Sequence, residues 1–234
     1  MSEVNIPSLE ELLEAGTHFG HTTSRWHPKM EKFLYGKRGG IHLVDLTKTQ
    51  EQIEKVVAFI KSNIGPLKPL LFIGVKPIAR DAVREQAQRC NSPYVVNRWI
   101  GGMLTNWGAI TGMIKRMKQL ESDKASGKLE KYTKREQLEF VEEYSKLEEA
   151  IGGIRELKGK PGAVFIVDAK YDKTALNEAA KLKVPIIAIT DSNINPAKIT
   201  HPIPANDDAV KSISLISKVI ADAVIAGSEK KETK

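Results

Sequence analysis

Apolar positions along the chain follow two rhythms. Short, mostly apolar runs bounded by turn residues predict strands: "IHLVDL" (41–46), "PLLFIGV" (69–75), "PYVVNR" (93–98), "GAVFIVDA" (162–169) and "VPIIAITD" (184–191). The later four are of the kind covered on both faces. Between them, "KTQEQIEKVVAFIKSNI", "PIARDAVREQAQRC" and "DKTALNEAAKLK" carry apolar residues at three- and four-residue spacing, and Pro77 suits the first position of its helix. Alternation of this kind predicts a parallel sheet wound right-handed into an α/β sandwich. "NDDAVKSISLISKVIADAVIAG" then predicts a closing helix, capped by Asn206 or Asp207 and ended by Gly227, with 228–234 as a flexible tail.

One segment breaks the alternation. From 105 to 157 there is no strand candidate; Ile110, Met113, Ile114, Met117 and Leu120 run at helical spacing, followed by "SDKASGK" and then by Leu138, Val141, Tyr144, Leu147 and Ile151. The segment 115–160 holds 12 basic and 10 acidic residues. Only a narrow seam is therefore apolar, which predicts an antiparallel coiled-coil hairpin inserted between residues 1–104 and 158–227 of the α/β domain.

Charge sharpens the picture because it is not spread evenly. The net charge is +7, while residues 17–40 carry Arg25, Lys29, Lys32, Lys37 and Arg38 against Glu31, and residues 98–118 carry Arg98, Lys115, Arg116 and Lys118 with no acid. These two stretches account for the whole basic excess, and they also contain Trp26, Trp99 and Trp107. Cations beside aromatics suit an RNA partner, with phosphates taking the charges and aromatic faces taking unstacked bases. Core packing is the competing reading for each tryptophan, and the favoured one for Trp107.

Other chemistry is thinly represented. Cys90 is the only cysteine, so neither an internal disulfide nor a cysteine zinc site can form, and it reads as a buried structural thiol. The N-terminus lacks the basic and apolar regions of a leader, and no window is apolar enough for a membrane span, so a cytoplasmic protein is expected. No phosphate-binding glycine motif follows a strand, and no nucleophile elbow is present. Carboxylates do gather at the predicted strand ends: Asp168, Asp172 and Asp191, with Asp207 and Asp208 soon after. Asp191, Asp207 and Asp208, completed by His18, are the candidate ligands of a divalent ion, though capping of turn and helix explains the same residues without one. On this reading no cofactor is required. A metal-dependent hydrolase on a flavodoxin-like sheet is the alternative function.

The motifs "LLEAGTHFGHTTSRWHPKMEKFLYG", "RWIGGMLTNW", "LEEAIGGI", "VDAKYD", "ITDSNINP" and "IPANDDAVKSISL" resemble, in that order, the bacterial small-subunit ribosomal protein number two family, over about residues 7–226. The resemblance implies a flavodoxin-like doubly wound parallel sheet with an inserted antiparallel coiled-coil hairpin. It also implies a structural, non-catalytic role at the head–body junction of the small ribosomal subunit. The partners it implies are small-subunit rRNA, neighbouring small-subunit proteins and the largest small-subunit ribosomal protein, docked at Asp191, Asp207 and Asp208; no membrane and no homo-oligomer are expected. In "RWIGGMLTNW", the glycines should allow close backbone approach, Thr105 or Asn106 should cap the hairpin, Trp107 should lock hairpin to sheet, and Arg98 and Trp99 should face outward.

Overall fold

The computed structural model describes residues 4–232. A five-stranded parallel sheet is built from β4 (Leu70–Ile73), β5 (Tyr94–Val95), β6 (Ala163–Ile166), β7 (Ile186–Thr190) and β8 (His201–Pro204), in the spatial order β5-β4-β6-β7-β8. Counted within this sheet the order is 2-1-3-4-5, that of doubly wound sheets of flavodoxin type. Alternation along each strand divides the interior into two layers. Leu70, Phe72, Phe165, Ile187 and Ile189 point to one layer, covered by α2 (Leu46–Asn63), α3 (Arg80–Arg89) and α7 (Val210–Glu232). Leu71, Ile73, Val164, Ile166 and Ala188 point to the other, covered by α6 (Lys173–Lys181) and the root of α4 (Trp107–Ala125).

The sheet differs from expectation at its edge. Residues 41–44 form a strand, β3, but it lies in a separate antiparallel sheet of order β1-β3-β2 with β1 (Phe19–Thr22) and β2 (Leu34–Arg38). The fifth parallel strand is instead β8, "HPIP". Its two prolines read as turn signals, yet an edge strand needs ladder donors on one side only, so proline is tolerated there.

Helix α4 is followed by α5 (Lys134–Ile151), which returns along it. Gly127, at φ 71°, takes the left-handed turn, and Thr133 opens α5 with a capping box to Glu136. The facing side of α5 departs from the expected seam only in its first half. Leu138 and Val141 are 59% and 46% exposed, and Phe140 is partly buried there instead, while Tyr144, Leu147 and Ile151 turn inward. The reason is Phe140, whose ring meets Tyr132 edge-on and lies 6.0 Å from the guanidinium carbon of Arg116. Arg116 in turn forms a bidentate pair with Glu143 at 2.8 and 2.7 Å. At the other end of the chain, Gly227 does not stop α7, which runs on to Glu232 and so through most of the expected tail; residues 233 and 234 lie outside the described residues.

Candidate functional site

The carboxyl ends of β4, β6, β7 and β8 face one crevice, and the residues just beyond each strand fill it. Lys76, after β4, places its ammonium 3.0 Å from Asp168, 3.1 Å from Asp207 and 2.6 Å from Asp208. His21, from β1, reaches over the same crevice, with Nδ1 2.9 Å from Asp191 and Nε2 3.4 Å from Asp208. The backbone closes the arrangement: the His21 N–H donates to Asp191 Oδ1 and Ser192 Oγ, and the His27 N–H donates to the Ser192 carbonyl. Gly20 makes the approach of β1 feasible, because a Cβ there would lie 3.0 Å from Ser192 Oγ and 3.2 Å from Asp191 Oδ1.

The electrostatics follow from burial and pairing. Burial, and after it the charges of Asp168 and Asp191, push Asp207 up to about 7 against the pull of Lys76. Burial likewise pushes Asp172 up to about 7, with the charge of Asp168 adding to the rise. The half-exposed Asp208 is raised by burial but more strongly lowered by Lys76 and His21, and ends below its ordinary value. The hydrogen bond and charge of Asp191 raise His21, and three carboxylates raise Lys76 despite its burial. Lys76 is therefore the cationic partner of the cluster, and His21 bridges Asp191 and Asp208.

This corrects two expectations. Asp191, Asp207 and Asp208 do come together, but the histidine that joins them is His21, three residues beyond the expected His18. The His18 ring packs on Phe19 at 3.9 Å, and burial lowers its pKa. Nor does Asp207 cap α7: its carboxylate is held by Lys76, while Asn206 Oδ1 accepts from the Asp208 N–H ahead of the helix. Mutual repulsion among these carboxylates is partly offset inside the chain by Lys76, a lysine visible in "FIGVKP" whose reach across three strands no local spacing reveals.

A second buried acid organises "RWIGGMLTNW". Glu178, on the inward face of α6, accepts from Trp99 Nε1 (3.0 Å) and the Gly102 N–H (2.8 Å) through Oε1, and from the Leu104 N–H (3.0 Å), the Thr105 N–H and the Thr105 hydroxyl (both 3.1 Å) through Oε2. Burial works to raise this carboxyl, but the donors hold it below the ordinary range. Trp99 is thus half-buried and turned to Glu178, contrary to the outward placement expected. Thr105 is engaged by Glu178, and Asn106 occupies the cap position of α4 without a side-chain cap bond. Trp107 packs with Trp99 and Ile100 against the core. The sequence signal for Glu178 was a lone acid three residues after Ala175 on an otherwise apolar helix face.

The predicted RNA-binding cations sort by pairing. Arg116 is tied to Glu143, and Lys118 lies 3.0 Å from Glu156. Among the described residues, Arg25, Lys29, Lys37, Arg38, Arg98 and Lys115 form no ion pair and are exposed, and Lys32 lies 4.8 Å from the centroid of the Phe33 ring. Trp26 is half-buried, its ring stacked on His42 at 5.1 Å.

The doubly wound sheet thus has its strand-end crevice occupied by its own lysine and histidine, and it carries exposed cations free of ion pairs among the described residues on the peripheral sheet, the loop at 98 and α4. A family model described as Ribosomal protein S2 matches residues 12–227. The small ribosomal subunit protein uS2 of Fusobacterium nucleatum is 44% identical over 227 residues, covering 97% of this chain and 92% of that one. Those of Geotalea uraniireducens (42%; 97% and 89% covered) and Thermobifida fusca (44%; 95% and 76% covered) are similarly close. The chain belongs to the ribosomal protein S2 family. It is a structural component of the small ribosomal subunit with a part in translation, and the hydrolase alternative is set aside. No described helix is long and apolar enough to cross a membrane.

Proposed function

We propose that the chain binds small-subunit rRNA at the head–body junction through the exposed cations of residues 17–40 and 98–118, as a cytoplasmic constituent of the ribosome. The observation that carries this reading is the pairing pattern. Arg25, Lys29, Lys37, Arg38, Arg98 and Lys115 are left without carboxylate partners, whereas Arg116, Lys118 and Arg155 are neutralised within the chain. Unpaired cations are the ones that can release counterions from a phosphate backbone. Arg116 and Lys118 contribute less on this account, and Trp99 acts by shaping the loop that carries Arg98. A variant with Lys37, Arg38 and Arg98 all replaced by alanine tests the reading. Each lost phosphate contact should reduce the slope of log affinity against log salt by roughly 0.7–0.9; an unchanged slope together with unchanged subunit occupancy refutes it.

The strand-end rim is the proposed dock for the largest small-subunit ribosomal protein, because Asp208 presents a half-exposed carboxylate beside Asp191 and Asp207. Lys76 and His21 offset part of the rim's negative charge from within the chain. Should docking use a divalent ion, His21, Asp191 and Asp207 are the residues to hold it, since one ligand atom from each lies within 4.8 Å of the others. Residues 105–157 complete the proposal as an antiparallel coiled-coil insertion between 1–104 and 158–227, with Tyr144, Leu147 and Ile151 in its seam.

A further inference from the structure

We propose that the outer edge of the small antiparallel sheet is a stacking platform for unpaired nucleotides, with Tyr35 as its base-contacting residue. The inference rests on the rRNA reading above and names the form of RNA that this sheet takes. Strand β2 lies at the edge of the sheet, and its register against β3 slips between Leu34 and Gly36, which makes Tyr35 the extra residue of a bulge. Bulges re-aim side chains, and here the result is a ring 80% exposed, with no aromatic or polar partner among the described residues. Next to it stands Gly36, where an added Cβ would meet nothing within 4 Å, so the approach to the ring is open. Lys37 and Arg38 follow, both exposed and without ion pairs, before Gly39 and Gly40 turn the chain at φ 59° and 79°. Opposite Lys37 sits His42, stacked on Trp26.

An exposed ring flanked by free cations suits a nucleotide whose base face is open and whose phosphates lie within reach of Lys37 and Arg38. A duplex does not meet that requirement, because its base faces are occupied by neighbouring pairs. A protein strand added along β2 is disfavoured by the two cations on that edge, the usual device against strand addition.

The test compares full-length parent, Tyr35→Ala and Tyr35→Phe for binding to an unpaired RNA octamer and to an RNA duplex across a salt series. Tyr35→Ala should weaken octamer binding about tenfold, within the roughly 5- to 150-fold that loss of one base stack gives. Its duplex affinity, salt slope and melting temperature should match the parent, and Tyr35→Phe, which keeps the ring, should bind the octamer as the parent does. Octamer affinity within about twofold of parent in Tyr35→Ala, while the triple alanine variant weakens, overturns the platform and leaves the rRNA reading standing. A parent that binds neither RNA overturns both. Unchanged RNA affinity with loss of a neighbouring protein from subunits carrying Tyr35→Ala would assign the edge to a protein strand, and overturns the platform as well.

Discussion

Replacing Glu178 by glutamine is the sharpest probe of how the loop at 98–107 is held, because glutamine keeps the size and shape and exchanges one acceptor for a donor. All five groups around the carboxylate are donors: three backbone N–H groups, the Trp99 indole N–H and the Thr105 hydroxyl. An amide offers one oxygen, so its NH2 must face either Trp99 and Gly102 or Leu104 and Thr105. In both orientations two N–H donors lose their acceptor and meet another donor. An unsatisfied buried donor costs about 1–3 kcal/mol; with water reaching the less buried of them, roughly 2–4 kcal/mol is expected for the pair. For a chain of this length that lowers the melting temperature by about 2–4 °C per kcal/mol. Trp99→Phe, which removes one donor and leaves the carboxylate four, should cost about 1 kcal/mol. Denaturant unfolding followed by tryptophan fluorescence reads both effects. A loss below about 0.5 kcal/mol in Glu178→Gln would refute the claim that this carboxylate organises the loop.

Three further outcomes are expected. Asp172 and Asp207 bind their protons more tightly in the folded chain, at about 7, than in the unfolded one, near 3.9. Folding stability should therefore increase as pH falls from 8 to about 6.5, by on the order of 1 kcal/mol, with the raised His21 acting in the same sense; below that, His18 and His201, lowered by burial, oppose the trend. Asp172→Asn should remove a large part of the rise, and an unaltered pH profile in that variant contradicts the assignment. Leu147→Lys should splay α4 from α5 at a cost of about 2–5 kcal/mol, read as lost helical circular dichroism, and an unchanged signal and melting point would dismiss the seam. The double variant Asp191→Asn, Asp208→Asn keeps the Oδ1 acceptor that holds His21 and Ser192. It should enter subunits but lose the largest small-subunit protein; full retention of that partner removes the docking role.

Much of the architecture was legible because four strands are almost wholly apolar and the helices between them repeat at three and four residues. What escaped reading did so for physical reasons. The β8 strand is two prolines in four residues, a pattern that only an edge position accommodates. The first half of α5 could turn inward either Leu138 and Val141 or Phe140, and Phe140 is the one that meets Arg116 on another helix. The candidate site was legible as a list of acids at strand ends, because topology places strand ends together. Its partial neutralisation by Lys76 and His21 was not, since residues 55 positions apart in sequence meet there only through the fold. Glu178 carried the faintest sign, one acid on an apolar face, whose partners lie more than 70 residues earlier.

The small antiparallel sheet has a further consequence for the order of events during synthesis. Several bonds that hold the N-terminal segment come from late in the chain: His21 and His27 bond to residues 191 and 192, the Asn206 N–H donates to the Thr17 carbonyl, and the Thr49 hydroxyl donates to the Pro204 carbonyl. Domains generally fold as units, and here the bonds from residues 17–27 to the strand ends wait for residues 191–206, although Leu12, Met30 and Phe33 already share core clusters with residues of β4. A chain ending before residue 191 would carry the same cations and the same Tyr35 on a segment without these bonds. Completion of translation is thus built into the geometry of the surface, and a prematurely terminated copy is structurally distinguishable from a finished one before either meets another molecule.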